Sequence, residues 1–546
     1  MKSVPPGWEA TKLREVVQLR TGPFGSSLHQ TDYVESGVPI VNPMHISNGY
    51  IRATSKHCVS KETAERLCDF KLEAGDIVLG RRGEMGRCAV VRESESGWLC
   101  GTGSLAIKSH EGIQPNYLQR FLSSDVVIKY LTSESVGSTM VNLNQQILLD
   151  LDLPIPPTTE QTRIVEKLEE LLSDLDAGVA ELKAAQRKLA QYRQSLLKAA
   201  VEGALTADWR AARVAASSSS SLRKQGTSDS RRNTAKSLDS RVRGNDGHEE
   251  SGADLLQRIL TERRTRWEQK QLAKFAEQGK TPPQGWRSKY PEPIAPDTTD
   301  LPALPHGWAW ANMDQLSFIV RGASPRPAGD PRYFGGSIPW ITVGSLTADD
   351  EMYLDQVDLF VTEAGKDASR YIEPDTLLLT NSGATLGVPK ITRIGGCIND
   401  GSVALLDIDE PAKTYLYWFL RTQTKKLRAT NQGAAQPNLN TDIVRRICVP
   451  VCHHAEMIEI NAVLEQQVSS LHGQEAAIAG SLKQAAAQRK NILKAAFAGQ
   501  LVPQDPNDEP ASVLLERIRT ERDNPKHPST RSLRTKPPKR YVESDA

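Results

Sequence analysis

The chain lacks any run of about 18 apolar residues, so no segment reads as a membrane-spanning helix. Its start, Met1-Lys2-Ser3-Val4-Pro5-Pro6, lacks the basic-then-apolar layout of a secretory signal. A cytoplasmic protein without membrane partners is expected. Cysteine is scarce, with seven in 546 residues, at positions 58, 68, 88, 100, 397, 448 and 452. An odd number without CxxC spacing argues against a disulfide scaffold and against a zinc ribbon. Only Cys448 and Cys452, followed by His453 and His454, have metal-ligand character; a strand end entering a helix is preferred there to a metal site. Excess charge is lacking too: 68 Lys and Arg face 66 Asp and Glu, a net +2 that excludes a uniformly basic polyelectrolyte. Aromatics are only 5%, yet an apolar fraction of 38% permits sizeable cores, and the length suggests three or four units at roughly 150 residues each.

Catalytic devices are equally absent. Gly279-Lys280-Thr281 ends like a phosphate loop, but the residue five before Gly279 is Lys274, not Gly. Asn42-Pro43-Met44 is not the Asn/Asp-Pro-Pro-aromatic tetrapeptide an amino-methyltransferase needs, and Glu181-Leu182-Lys183 lacks the upstream Asp of a nuclease. There is no HExxH and no GxSxG, and His29, His45, His57 and His110 are scattered. No catalytic residue and no metal site is expected, and the chain reads as a binding scaffold.

What is present is an internal repeat. Gly7-Trp8 recurs as Gly307-Trp308, and Val38-Pro39-Ile40-Val41-Asn42 as Ile338-Pro339-Trp340-Ile341-Thr342. Tyr117-Leu118 recurs as Tyr415-Leu416, Asn142-Leu143-Asn144 as Asn438-Leu439-Asn440, and Leu197-Lys198-Ala199-Ala200 as Leu493-Lys494-Ala495-Ala496. The offset then falls from 296 to 259, where Leu255-Leu256 matches Leu514-Leu515, so the first copy carries 37 extra residues. They lie in a Ser- and Arg-rich stretch that includes Ser217 to Ser221 and has few bulky apolar residues, which predicts a disordered insertion over 207–252, with a basic nucleic-acid tether as the alternative.

Each copy has two parts. Short β-type runs such as Asp76-Ile77-Val78-Leu79, broken by Gly and Pro, predict mixed α/β (α+β) globules over 1–157 and 304–452. Helical spacers follow over 158–206 and 453–502. A helix and Pro-rich linker fill 253–303, and a C-terminal helix and basic tail fill 503–546. The first spacer repeats Leu168, Leu175, Leu182, Leu189 and Leu196 every seven residues, with Leu171, Gly178, Ala185, Tyr192 and Ala199 interleaved, a coiled-coil pattern. The second reads Leu464, Leu471, Ile478, Ala485 and Ile492, with polar Gln467, Gln474, Ser481 and Gln488 interleaved, a weaker seam. Small Gly178 and Ala185 would admit a close partner helix. Both helices are acidic early (Glu166, Glu169, Glu170; Glu456, Glu459, Glu465) and basic late (Arg187, Lys188, Arg193; Lys483, Arg489, Lys490). Antiparallel pairing opposes unlike charges; the alternative is that each helix complements its own macrodipole. About 41 residues at 1.5 Å would make a strut of roughly 60 Å.

Three loop pairs concentrate Gly, Ser, Asn, Gln and Arg. The first holds Arg20, Ser26 and Ser27, matched by Arg321, Ser324 and Arg326. The second holds Arg81 and Arg82, matched by Asn381 and Ser382; the third holds Ser138, Thr139 and Asn142, matched by Gln436 and Asn438. Arg pairs bidentately with guanine and Asn or Gln with adenine, while Ser and Thr grip phosphates, so these residues are DNA-contact candidates. Turn formation alone is the competing reading. Similar scaffolds with different loop residues are what two different half-sites would require.

The whole arrangement resembles the specificity subunit of type I restriction-modification systems. The likeness rests on Gly7-Trp8 and Gly307-Trp308, on Asn142-Leu143-Asn144 running into Leu153-Pro154-Ile155-Pro156-Pro157 and Glu160-Gln161, and on the helix endings at Leu197 to Gly203 and Leu493 to Gly499. The resemblance implies two target-recognition domains reading one bipartite double-stranded DNA site, and two antiparallel helices that set the spacer and dock two methyltransferase subunits. Restriction subunits would join them. It implies a non-catalytic chain without cofactors, with S-adenosylmethionine, ATP and magnesium used by the partners. Departures are the insertion, the polar second seam and Cys448-Val449-Pro450-Val451-Cys452 in place of the first Pro-rich run. Rival readings are a methylation-only or fused system, and a coiled-coil adaptor that does not touch DNA.

Overall fold

The computed structural model describes residues 4–23, 27–52, 56–134, 143–224, 250–383, 385–430 and 439–523. The chain divides into two units: Met1–Ala184 with Ile478–Ala546, and Ala185–Ala477. Two 44-residue helices, Thr158–Val201 and His454–Phe497, each contribute one part to each unit.

In the first unit, strand Glu9–Lys12 pairs antiparallel with Asp152–Ile155, bringing the two ends of the globule together just before the long helix. A four-stranded antiparallel sheet runs in the order Val17–Thr21, Ser104–Ser109, Ile77–Gly80, Cys88–Val90. A second sheet pairs Leu99–Cys100 parallel to Val38–Val41. Ile77, Leu79, Leu105 and Ile107 alternate into one core with Tyr117, Leu118 and Leu122 of helix Pro115–Leu122, while Val78 and Ala106 between them enter a second core, so the pleated sheet is buried on both faces. Tyr117 is fully buried and its hydroxyl donates to Pro154 O (2.8 Å).

The second unit has corresponding pairings. Ala309–Asn312 lies antiparallel to Cys448–Val451, and Phe318–Arg321, Ser402–Leu406, Leu377–Thr380 and Pro389–Thr392 are successive neighbours in an antiparallel arrangement. Phe334–Ile341 runs parallel to Gly396–Ile398. Tyr415, on helix Ala412–Thr430, donates to Pro450 O (2.7 Å). Strand Cys448–Val451 leads into the helix beginning at His454, with Cys452 buried between them.

Each unit contains its own helix-helix packing. In the first, Leu168 and Leu172 share a core with Ala496 and Ile492, and Arg489 forms an ion pair with Asp176. In the second, Leu196, Leu197 and Ala200 share a core with Leu464, Val468 and Leu471, and Arg193 pairs with Glu475 at 2.9 Å. In both, the early half of one helix meets the late half of the other.

The phasing within the helices corrects the sequence reading. The buried residue after Leu168 is Leu172, while Leu171 is only half-buried, Tyr192 is exposed, and a side chain at Gly178 would meet nothing within 4 Å. The inward positions follow the heptad leucines by four residues rather than three. A helix of 3.6 residues per turn places both spacings near one face, and packing selects between them. On the second helix the same shift replaces Gln467, Gln474, Ser481 and Gln488 by Val468, Glu475, Leu482 and Arg489, so that seam is less polar than expected. Gly178 therefore opens no close approach.

The span 207–252 also needs correction, because helix Ala207–Lys224 occupies its start. Ala211, Ala212, Ala215 and Ala216 favour helix, and the start is tied down: Thr206 and Arg210 both donate to Glu456, and Arg210 lies 5.7 Å from the Trp308 ring centroid. Residues 225–249 lie outside the described residues. Helix Gly252–Glu277 begins at a capping box in which Ser251 and Asp254 satisfy each other's backbone N–H groups. Among the described residues no helix is long and apolar enough to cross a membrane.

Candidate nucleic-acid interface

The sheet registers bring distant loops to one end of each globule. In the first unit Leu105 lies opposite Thr21 and Ser104 opposite Gly80. Beyond the strand ends, Gly22 N donates to Ser104 O (3.1 Å), Arg81 N to Gly103 O (2.8 Å) and Leu143 N to Arg81 O (2.9 Å). The first two loops and the residue that follows the third therefore close around a fourth segment, Gly101-Thr102-Gly103-Ser104. The approach leaves no room for side chains: a Cβ on Gly22 would lie 1.9 Å from Gly101 O.

The second unit repeats the closure around Asn399-Asp400-Gly401-Ser402. Gly322 N donates to Ser402 O (2.9 Å), Asn381 N to Gly401 O (2.9 Å) and Leu439 N to Asn381 O (2.7 Å). A Cβ on Gly322 would lie 2.0 Å from Asn399 O. Sequence reading missed this fourth segment, although its Gly-Ser pattern directly before an apolar run was the available signal.

Several candidate side chains are committed within the globules. Arg20 donates to Asp69 O (2.8 Å) and Lys71 O (3.2 Å), bracing a turn against its strand. Ser27 supplies a backbone carbonyl to Arg66 (2.7 Å). Arg321 Nε donates to Asp400 O (3.0 Å), Ser324 Oγ to Asp400 Oδ1 (2.6 Å) and Arg326 Nη2 to Asp400 Oδ2 (3.2 Å). Ser382 is half-buried beside Gly401.

The remaining described candidates differ in exposure. Arg82 is exposed and makes no hydrogen bond or ion pair among the described residues. Arg81 is half-buried and its Nε donates to Leu143 O (3.4 Å); burial first, and then the adjacent Arg82 charge, hold its guanidinium below the ordinary arginine range, a cost that an arriving anion would relieve. Asn381 is fully buried, and among the described residues both atoms of its amide lack a hydrogen-bond partner, which costs about 1–3 kcal/mol for such a group. Ser26, Ser138, Thr139, Asn142, Gln436 and Asn438 lie outside the described residues. Burial pushes the neighbouring Cys100 thiol up to about 12, so no reactive thiolate stands there.

The family model of the type I restriction modification DNA specificity domain matches residues 5–184. The specificity subunit of the type I restriction enzyme StySPI of Salmonella potsdam is 29% identical over 211 residues, covering 37% of this chain and 44% of that protein. The EcoKI specificity subunit of Escherichia coli K12 is 26% identical over 215 residues, 38% of this chain and 45% of its own. The chain thus spans less than half the length of these curated relatives. A chain solved in a study of complex assembly and conformational transition of the type I R-M system shares the fold, with a TM-score of 0.59, 17% identity, and coverage of 92% of this chain and all of that one.

Each globule is anchored to its helix by a buried carboxylate. Trp8 Nε1 donates to Glu160 Oε2 (3.0 Å), and Trp308 Nε1 to Glu456 Oε2 (3.0 Å). The two sites are unequal. Glu456 also accepts from Thr206 and Arg210, whereas among the described residues Glu160 Oε1 has no hydrogen-bond partner, its neighbour Arg163 being paired with Asp508 (2.6 Å). Burial raises the Glu160 carboxyl above the usual range, opposed by the Trp8 hydrogen bond. A carboxyl raised in the folded state adds stability that is full below its unfolded pKa and is lost as pH rises through the folded one. Glu160→Gln keeps the acceptor for Trp8 and removes the charge. Its thermal midpoint should exceed that of the parent protein at pH 7, with the gap narrowing on acidification; a lower midpoint at pH 7 would contradict the assignment.

Proposed function

We propose that the chain is the sequence-reading, non-catalytic specificity subunit of a type I restriction-modification complex. In this reading each globule reads one half of a bipartite double-stranded DNA site. The two long helices form an antiparallel pair that sets the unread spacer and docks two methyltransferase subunits, with restriction subunits joining them in the cytoplasm. S-adenosylmethionine, ATP and magnesium serve those partners. The observation that carries the reading is the closure of Gly-rich loops around one segment at one end of each globule. Arg81, Arg82 and Thr102 stand there in one unit, and Asn381 and Asp400 in the other, on matching backbone hydrogen bonds. Similar frames bearing different polar groups suit two different half-sites, since base edges are told apart by donor and acceptor pattern. The family match over residues 5–184 supports it, as do the ion pairs Asp176–Arg489 and Arg193–Glu475 for an antiparallel arrangement over an internal repeat.

Co-expression with a cognate methyltransferase subunit, followed by genome-wide mapping of methyladenine, tests the proposal. The expected product is a motif in two parts separated by an unread spacer. A continuous motif, or methylation without sequence preference, would exclude it.

A further inference from the structure

Asp400 is densely connected at the loop end of the second unit. Its carboxylate accepts from Ser324 Oγ on one oxygen (2.6 Å) and from Arg326 Nη2 on the other (3.2 Å). Its own N–H donates to Ser324 Oγ (3.2 Å) and its carbonyl receives Arg321 Nε (3.0 Å). The residue is thus fixed from backbone and side chain together. A carboxylate offers about four lone-pair sites, of which these bonds take two, and the side chain remains 46% exposed. Two acceptor sites of a carboxylate held in place are left without a partner among the described residues.

The chemistry of the carboxylate narrows what can dock on it. Arg321 donates to the Asp400 carbonyl and Arg326 to its carboxylate, so the patch keeps a net positive charge and the exposed part of the carboxylate is its acceptor. The matching position in the first unit, between Gly101 and Gly103 on the same hydrogen-bond frame, is Thr102, so the carboxylate is peculiar to one unit. In the major groove, exocyclic amino groups are the donors within reach. Cytosine N4 stands without an adjacent acceptor, whereas adenine N6 lies beside N7, whose lone pair would oppose the carboxylate.

We infer that Asp400 is a specificity-determining residue that reads a cytosine amino group in the half-site of the second unit. The inference rests on the proposed DNA-reading function.

The test maps methyladenine for the full chain with its methyltransferase, comparing the parent chain with Asp400→Asn and Arg326→Ala. Asp400→Asn keeps shape and an acceptor but adds donors, so discrimination at one C·G pair of one half-site should fall roughly ten- to hundred-fold, with the other half and the spacer unchanged. Arg326→Ala should retain that base preference while methylation weakens across all sites. An unchanged motif for Asp400→Asn overturns the inference, as does a change at a pair where no cytosine was specified. It is likewise overturned if Arg326→Ala alters the same base pair in the same way, because Asp400 would then act only by holding the loop. Should Asp400→Asn abolish methylation, full-length Asp400→Glu decides: retention of the cytosine preference supports the reading, and its loss refutes it. A parent chain with no two-part motif removes the underlying function instead, a separate outcome.

Discussion

Replacing Glu456 by Ala is expected to cost the second unit about 3–5 kcal/mol, the range for deleting one partner of a buried ion pair. The carboxylate is 2% exposed and is shared by Trp308, Thr206 and Arg210. Without it a guanidinium and two neutral donors lose their acceptor in a dry setting, and each unmet donor carries its own desolvation penalty. Domains are stable by about 5–15 kcal/mol, so the loss is a large fraction of the total. Urea unfolding followed by tryptophan fluorescence should show a transition at markedly lower denaturant. Glu456→Gln retains an acceptor for Trp308 and should lose less. A Glu456→Ala midpoint within experimental error of the parent would show that the cluster contributes little.

Gly322→Ala and Gly22→Ala are each expected to abolish sequence-specific DNA retention. The added Cβ would stand 2.0 Å from Asn399 O in one unit and 1.9 Å from Gly101 O in the other. Backbone atoms cannot rotate aside, so the first loop must separate from the fourth segment and break the bond from Gly322 N to Ser402 O, or from Gly22 N to Ser104 O. Overpacking typically costs 1–3 kcal/mol. The functional loss should be larger, because several polar groups are displaced together and, on the proposed function, a two-part site needs both halves. Gly83→Ala has open space around its Cβ but a φ of +81°, so it should strain one turn without moving the other loops. Gel retardation of the full chain with its methyltransferase on its mapped motif separates these cases. Undiminished retention by Gly322→Ala would show that the loop closure is dispensable.

Much of this arrangement is legible in the chain. The offset of Trp8 and Trp308 from Glu160 and Glu456 is visible as Gly-Trp and as the acidic residue opening each helix, and the structure joins each pair by the same 3.0 Å bond. Heptad leucines announce both helices, but the interleaved face was misjudged by one residue. Val468 and Leu482 share the inward face with the neighbouring heptad positions, and at 3.6 residues per turn a spacing of three or four is decided only by what lies opposite. The helix over Ala207–Lys224 was hidden by serines whose intrinsic preference is weak, and its anchors, Thr206 and Arg210, find their partner some 250 residues away.

The candidate readers divide along the same line. Which loops carry Gly, Ser, Asn and Arg is a property of the sequence, as are the two copies and the helices between them, because composition, periodicity and repetition are local or self-referential. Which of those side chains is free is not. Arg20 is taken by carbonyls 49 and 51 residues away, Arg321 and Arg326 by Asp400, while Arg82 is left to solvent. A guanidinium bonds to whatever acceptor the folded chain brings within about 3 Å, so only the tertiary structure separates the arginines that hold this protein together from those left to meet a ligand.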